Sequence, residues 1–204
     1  MARTILYVPM LHQRIDTGFS EDCTAIGARP DPETAAYADR LFAEIDLYAL
    51  RYWGQIGPKL EVRRIDNIYP EALYSDFEDD RRDFERVRKG GSRAADFVLS
   101  MHEKGVPVVP IEDRGLIKEA TTLRMTATFI TSHESMKEEI EENIRARDRF
   151  IARRIDEDLK DGETGVLLLG ASHDPLLRSS IDVKYVYDPK LMLMEMQTII
   201  LCSQ

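Results

Sequence analysis

The run Gly165-Val166-Leu167-Leu168-Leu169-Gly170, followed at once by Ala171-Ser172-His173-Asp174, decides how this chain is to be read. An uncharged aliphatic run between two glycines is the signature of a strand buried on both faces. Upstream, Ser135-Met136-Lys137-Glu138 has capping-box spacing and opens a helix predicted to reach about Leu159. Ile140, Ile144, Ile151 and Ile155 mark its apolar face, and Glu141 and Arg145 form an i,i+4 pair in the favourable order. Asp161-Gly162 turns the chain from that helix into the strand. A helix leading into a fully buried strand is half of a βαβ unit.

Working outward, residues 4–8 (Thr-Ile-Leu-Tyr-Val) form a second compact run of strand type, and residues 60–65, 106–111 and 183–187 complete five predicted strands. Pro107 and Pro110 each remove a ladder donor, so that strand pairs imperfectly or lies near an edge. Residues 13–30 read as a loop. Asp31-Pro32-Glu33 starts a helix with Tyr37, Leu41, Ile45, Tyr48 and Tyr52 on one face, which is predicted to stop between Gly54 and Pro58. Further helices are predicted over residues 77–89, from a Ser92 cap to Gly105, and after Asp188-Pro189; residues 120–130 fit either helix or strand. Strands separated by helices of this length imply an α/β fold: a single domain with a mainly parallel central sheet and helices on both faces.

Composition narrows the function classes. The chain has 204 residues, 28 basic and 37 acidic, for a formal charge of −9. That balance disfavours a nucleic-acid partner, and no apolar run approaches the roughly 20 residues that span a bilayer. The N-terminal run is short and lacks a cleavage site, so no signal peptide is read. Cys23 and Cys202 stand alone near opposite ends, which points to a reducing, cytoplasmic setting without a zinc site or disulfide scaffold.

In parallel sheets, ligands bind beyond the carboxyl ends of the strands. Three polar stretches follow predicted strands there: Pro9-Met10-Leu11-His12, Glu112-Asp113-Arg114, and Gly170-Ala171-Ser172-His173. His12, His173 and Glu112 can make a hydrolytic divalent-metal site, or the histidines can serve as an acid–base pair without metal. Gly170 allows close backbone approach, and Ser172 and Asp113 are candidate ligand contacts. Each residue also has a plainer reading: a strand-end histidine bonded to nearby backbone, and Glu112-Asp113 pairing with Arg114 or capping the next helix. His102, in a last helical turn, reads as a surface residue, and His133 as part of a helix start. The helical period puts Arg147 and Asp148 on or beside the buried face; an arginine there needs a partner, either structural or a bound anion.

The stretch from Asn143 through Arg147-Asp148 to Ile155, followed by the strand ending Gly170-Ala171-Ser172-His173, resembles the second half of the TraB, ChaN and erythromycin-esterase superfamily. The resemblance implies a site at His173 and, where the first strand of such proteins carries Gly-x-x-His, at His12 of Pro9-Met10-Leu11-His12, in which Pro9 replaces the Gly. Asp148 stands where many relatives have Asn. Metal-dependent peptidases, a haem protein and a metal-independent esterase share this pattern, so it implies a site more firmly than a reaction. Haem is not expected here, because no axial ligand is marked. The expected function is hydrolysis of a small-molecule or peptide substrate with His12, His173, Glu112 and Arg147 in the site; the alternative is a non-catalytic small-anion-binding domain. The final helix, apolar around most of its circumference, predicts a homodimer.

Overall fold

The structure, a computed structural model, describes residues 2–10, 32–129 and 134–202. His12, His133, Cys23 and the loop assigned to residues 13–30 lie outside the described residues. The elements in chain order are β1 (Arg3–Met10), α1 (Pro32–Glu61), β2 (Asn67–Pro70), α2 (Phe77–Lys89), α3 (Arg93–Glu103), α4 (Arg114–Phe129), a short 3-10 turn (Glu134–Met136), α5 (Lys137–Asp158), β3 (Thr164–Gly170), β4 (Ile181–Tyr185) and α6 (Pro189–Cys202). The four strands form one parallel sheet in the order β2-β3-β1-β4. The fold is α/β.

The aliphatic run 165–170 lies in the middle of this sheet. β3 pairs with β1 from Thr4 opposite Thr164 to Met10 opposite Gly170, so both strands end together at one edge. Residues 5–10 and 165–170 are buried throughout, because helices cover both faces. Leu6, Val8, Val166 and Leu168 pack with Ile45, Tyr52, Ile56 and Leu60 of α1 and with Val98 and Leu99 of α3. Their alternate neighbours Ile5, Tyr7, Leu167 and Leu169 pack with Ile151 and Ile155 of α5. Gly165 is required by a close approach: a Cβ there would stand 2.5 Å from Cε2 of the Tyr69 ring.

The structure revises four boundaries. Helix α1 runs through Gly54 and Pro58 to Glu61. Pro58 forfeits one hydrogen bond near the helix end, where few remain, while Ile56 and Leu60 in the same turns are fully buried. The strand predicted over 60–65 therefore does not form: Leu60 belongs to the helix, Val62 is 85% exposed, and the strand is Asn67–Pro70, buried at every position. The run 106–111 is reduced to a single parallel bridge, Ile68 to Val108, beside β2. Its prolines leave only Pro107 O and Val109 N to bond with Ile68. Finally, Met136 rather than Ser135 is the N-cap residue of α5, and no side chain caps it.

Elsewhere local chemistry acts as expected. Ser92 Oγ accepts from Ala95 N at 3.1 Å to start α3, and Gly105 follows its end with φ of +86°. Asp188 Oδ1 accepts from Lys190 N at 2.9 Å at the start of α6. The link between β3 and β4, residues 171–180, passes β1 without a helix, and its Leu177 packs on the α5 face. His173 lies at the start of that link.

Candidate functional site

Four segments meet where β2 and β3 end. Glu71 follows β2, Glu112 follows the proline-broken edge run, Gly170 ends β3 and His173 follows it, and Arg147 and Asp148 come from α5. Asn143, Arg147, Ile151 and Ile155 form the buried stripe of α5, so one helix face is polar at this edge and aliphatic farther along. The stripe delivers a guanidinium into the protein.

Arg147 is met by two carboxylates. Its Nε donates to Glu112 Oε2 at 3.1 Å and its Nη2 to Glu112 Oε1 at 2.5 Å, a two-pronged pair in which the Glu112 side chain is wholly buried. Nη2 also donates to Glu71 Oε1 at 3.2 Å. Burial alone would lower the Arg147 pKa, but Glu112 and then Glu71 outweigh it and push it upward. The structural partner anticipated as one alternative is present. Arg147 thus balances internal carboxylates, and the role of holding a substrate anion passes elsewhere.

His173 completes the cluster. Its Nδ1 stands 2.6 Å from Asp148 Oδ1 and its Nε2 3.6 Å from Glu71 Oε1. Burial would lower its pKa and Arg147 opposes the charge, yet the bond to Asp148 and the proximity of Glu71 raise it from 6.5 to about 9. At neutral pH the ring is an imidazolium with a donor at each nitrogen. Because the folded pKa is raised, this charge stabilises the fold fully below the unfolded value near 6.5. The contribution, on the order of 3 kcal/mol, is lost as pH rises through about 9.

The backbone holds this geometry. His173 N donates to Gly170 O at 3.0 Å, forming the turn that points the ring back toward α5. Asp174 N donates to Asp148 Oδ2 at 3.0 Å, and Tyr7 OH donates to His173 O at 3.1 Å. Burial, aided by Glu71, holds the Tyr7 phenol well above its ordinary pKa, so it remains a neutral donor. Gly170 N donates to Glu71 Oε2 at 2.6 Å, and a Cβ on Gly170 would lie 3.0 Å from that oxygen. Gly170 allows a close approach, as its sequence position suggested, but the approaching group is the protein's own carboxylate.

The remaining candidates separate from this cluster. Asp113 Oδ1 accepts from Leu116 N at 3.0 Å and so caps α4, the plainer of its two readings. Ser172 is exposed. His102 Nε2 lies 3.0 Å from Glu78 Oε1, between α3 and α2. Sequence reasoning missed Glu71, although Ile68-Tyr69-Pro70-Glu71 and Val109-Pro110-Ile111-Glu112 both place an acid behind a proline-marked apolar run. A strand placed at 60–65 leaves Glu71 too far downstream to count as a strand-end residue.

Two features bear on chemistry. Among the described residues, no group of three His, Cys, Asp or Glu side chains is arranged to hold a metal ion. Both described members of the expected metal set are held by other side chains, Glu112 by Arg147 and His173 by Asp148 and Glu71. Beside His173 opens a cleft of about 690 Å³ whose lining includes Tyr7, Ala171, Asp174, Tyr185, Tyr187 and Lys190. This lies within the size range of small-molecule sites. Compared with protein-family models, curated proteins and solved structures, the chain gives no significant match.

The buried Arg147–Glu112 pair yields a direct expectation. Glu112→Gln leaves a desolvated guanidinium with one charged partner and should destabilise the fold by about 3–5 kcal/mol, with Glu112→Gln/Arg147→Met recovering much of the loss. Urea denaturation of both variants checks this; a single variant within 1 kcal/mol of the parent, roughly the scale of an exposed ion pair, would contradict it.

Proposed function

We propose that this domain is a hydrolase, similar to the TraB, ChaN and erythromycin-esterase superfamily, that acts by acid–base chemistry at His173. One observation carries the reading: a histidine clamped by two carboxylates lines an open cleft at the carboxyl edge of a parallel sheet, where folds of this class place ligands. Asp148 fixes the ring and supports its charge. As water attacks the carbonyl carbon of an ester or amide substrate, Nε2 supplies a proton to the departing alcohol or amine and regains one from the water, and Glu71 beside it stabilises the ring's charge before transfer. No step is routed through a metal, because the described donors are committed to one another. His12, outside the described residues, enters this proposal as the second histidine on the resemblance alone.

A second reading is favoured by Lys190, which lines the same cleft as cationic His173. Lys190 would meet a small anion held there without turnover, although Asp174 and Asp188 line the same cleft and His173 is already matched by Asp148 and Glu71. Hydrolysis of a panel of small esters and amides separates the two. Turnover should fall as pH rises past about 9, where His173 loses its proton, and His173→Gln should lower kcat by about 100-fold or more in a protein that still folds. Unchanged turnover in folded His173→Gln would reject the acid–base role. Retention of an anion by a protein that hydrolyses nothing in the panel would select the second reading.

Among the described residues no helix is long and apolar enough to cross a membrane; the cytoplasmic setting and the lack of a nucleic-acid partner belong to this proposal. So does the dimer. On α6, Met192 is buried, while Leu191 and Leu193 are each 43% exposed, Met194 63% and Leu201 69%. A second copy of the chain would cover them. Light scattering at micromolar concentration should give twice the chain mass of 23.4 kDa; a monomer would reject the assembly.

A further inference from the structure

Strand β4 ends the sheet, and among the described residues no strand pairs with its outer edge. The direction of its backbone groups is fixed. Val186 N donates to Tyr7 O at 2.9 Å, so residue 186 turns its N–H and C=O toward β1; by the alternation of a parallel ladder, Lys184 and Asp182 do the same. Val183 and Tyr185 therefore turn theirs outward, where no backbone group among the described residues meets them. The carbonyl of Ile181 also points out, while its N–H donates to Arg178 O at 2.9 Å.

The side chains divide between the two faces. Ile181 and Val183 pack with the α5 side of the core, and the Tyr185 ring lies 5.2 Å from that of Tyr7. Asp182 and Lys184 stand on the other face, 3.1 Å apart, and remain 51% and 54% exposed. An open edge strand is a template for another strand, and charge on it commonly repels one. Here the two charges are opposite and two positions apart, so they repel some registers and favour another.

A second copy of β4, antiparallel about a two-fold axis, can keep outward-facing groups opposite one another when centred on Asp182, Val183 or Lys184. Centring on Asp182 sets that acid against its own copy, and centring on Lys184 does the same for the lysine; like charges directly opposite destabilise a strand pair. Centring on Val183 sets Asp182 of each copy against Lys184 of the other. That is a non-hydrogen-bonded pair, in which facing side chains come closest. Val183 then exchanges both backbone bonds with its copy, and Tyr185 faces the partner subunit's Ile181.

From this self-complementarity we infer that β4 is the dimer interface: two chains join antiparallel through β4, in register about Val183, into one continuous sheet. The inference rests on the assembly proposed above and gives it a contact surface. A strand of five residues is short for a stable interface; α6, which follows it in the chain with Leu191 and Leu193 43% exposed, supplies further apolar area. Tyr185 also lines the His173 cleft, so the partner strand reaches the rim of that cleft.

The test is charge reversal followed by sedimentation of the full chain at micromolar concentration. Lys184→Asp sets acids against acids and Asp182→Lys sets lysines against lysines, so each variant alone should dimerise about tenfold more weakly or worse. An equal mixture of the two should recover the dimer, as should the swapped chain Asp182→Lys/Lys184→Asp. The Val183 and Tyr185 amides should exchange slowly in the parent dimer and freely in either single variant. A monomeric parent would reject the assembly and this interface together. A dimer that neither reversal weakens would reject the interface alone and leave the contact to α6, and weakening without recovery in the mixture would overturn the register.

Discussion

A buried guanidinium must be matched inside the protein, and the match at Arg147 governs how the carboxyl edge of this sheet is built. Leaving that charge uncompensated would cost several kcal/mol. Glu112 and Glu71 supply the compensation from two different chain segments, 35 and 76 positions away in sequence. Glu71 then bonds to Gly170 at the end of β3 and faces His173. One electrostatic requirement thereby joins β2, the edge run, α5 and β3. The aliphatic core fixes the sheet between its helices, but it has no means of specifying which polar groups face one another at its edge.

That division explains what can be read in the sequence. The uncharged runs 5–8 and 165–170 are fully buried strands because two-sided burial leaves no place for charge, and a parallel α/β sheet follows from their spacing. The stretch 60–65 misleads because imperfect alternation of apolar and charged residues fits a strand and a helix end equally well over six positions. Tertiary burial of Leu60 under α1 decides between them. At 106–111 the apolar content is legible, but the missing amide donors of Pro107 and Pro110 leave a single bridge where a strand is expected.

The site is legible in part for a related reason. Positions after strands are visible in sequence, so His173 and Glu112 can be named, and helical periodicity places Arg147 and Asp148 against the interior. Partnership is not visible. Whether Arg147 holds a bound anion or protein carboxylates depends on where Glu112 and Glu71 stand, and Glu71 follows a strand of only four residues whose position periodicity does not reveal. Asp148, in contrast, gains a role that its neighbours alone could not give it: it bonds to both the ring of His173 and the amide of Asp174. Together these partners turn a candidate metal ligand or general base into a held imidazolium.

The protonation of His173 is therefore the property whose measurement bears most directly on the charged cluster. Titration of its ring carbons and attached protons by NMR, with assignment from His173→Gln, measures the pKa in the folded chain. The expected midpoint is about 9, above the ordinary value of 6.5, with a fall toward that value in Asp148→Asn. A midpoint at or below 6.5 in the parent protein would mean that burial outweighs the two carboxylates, and it would contradict the charged cluster on which the proposed chemistry rests.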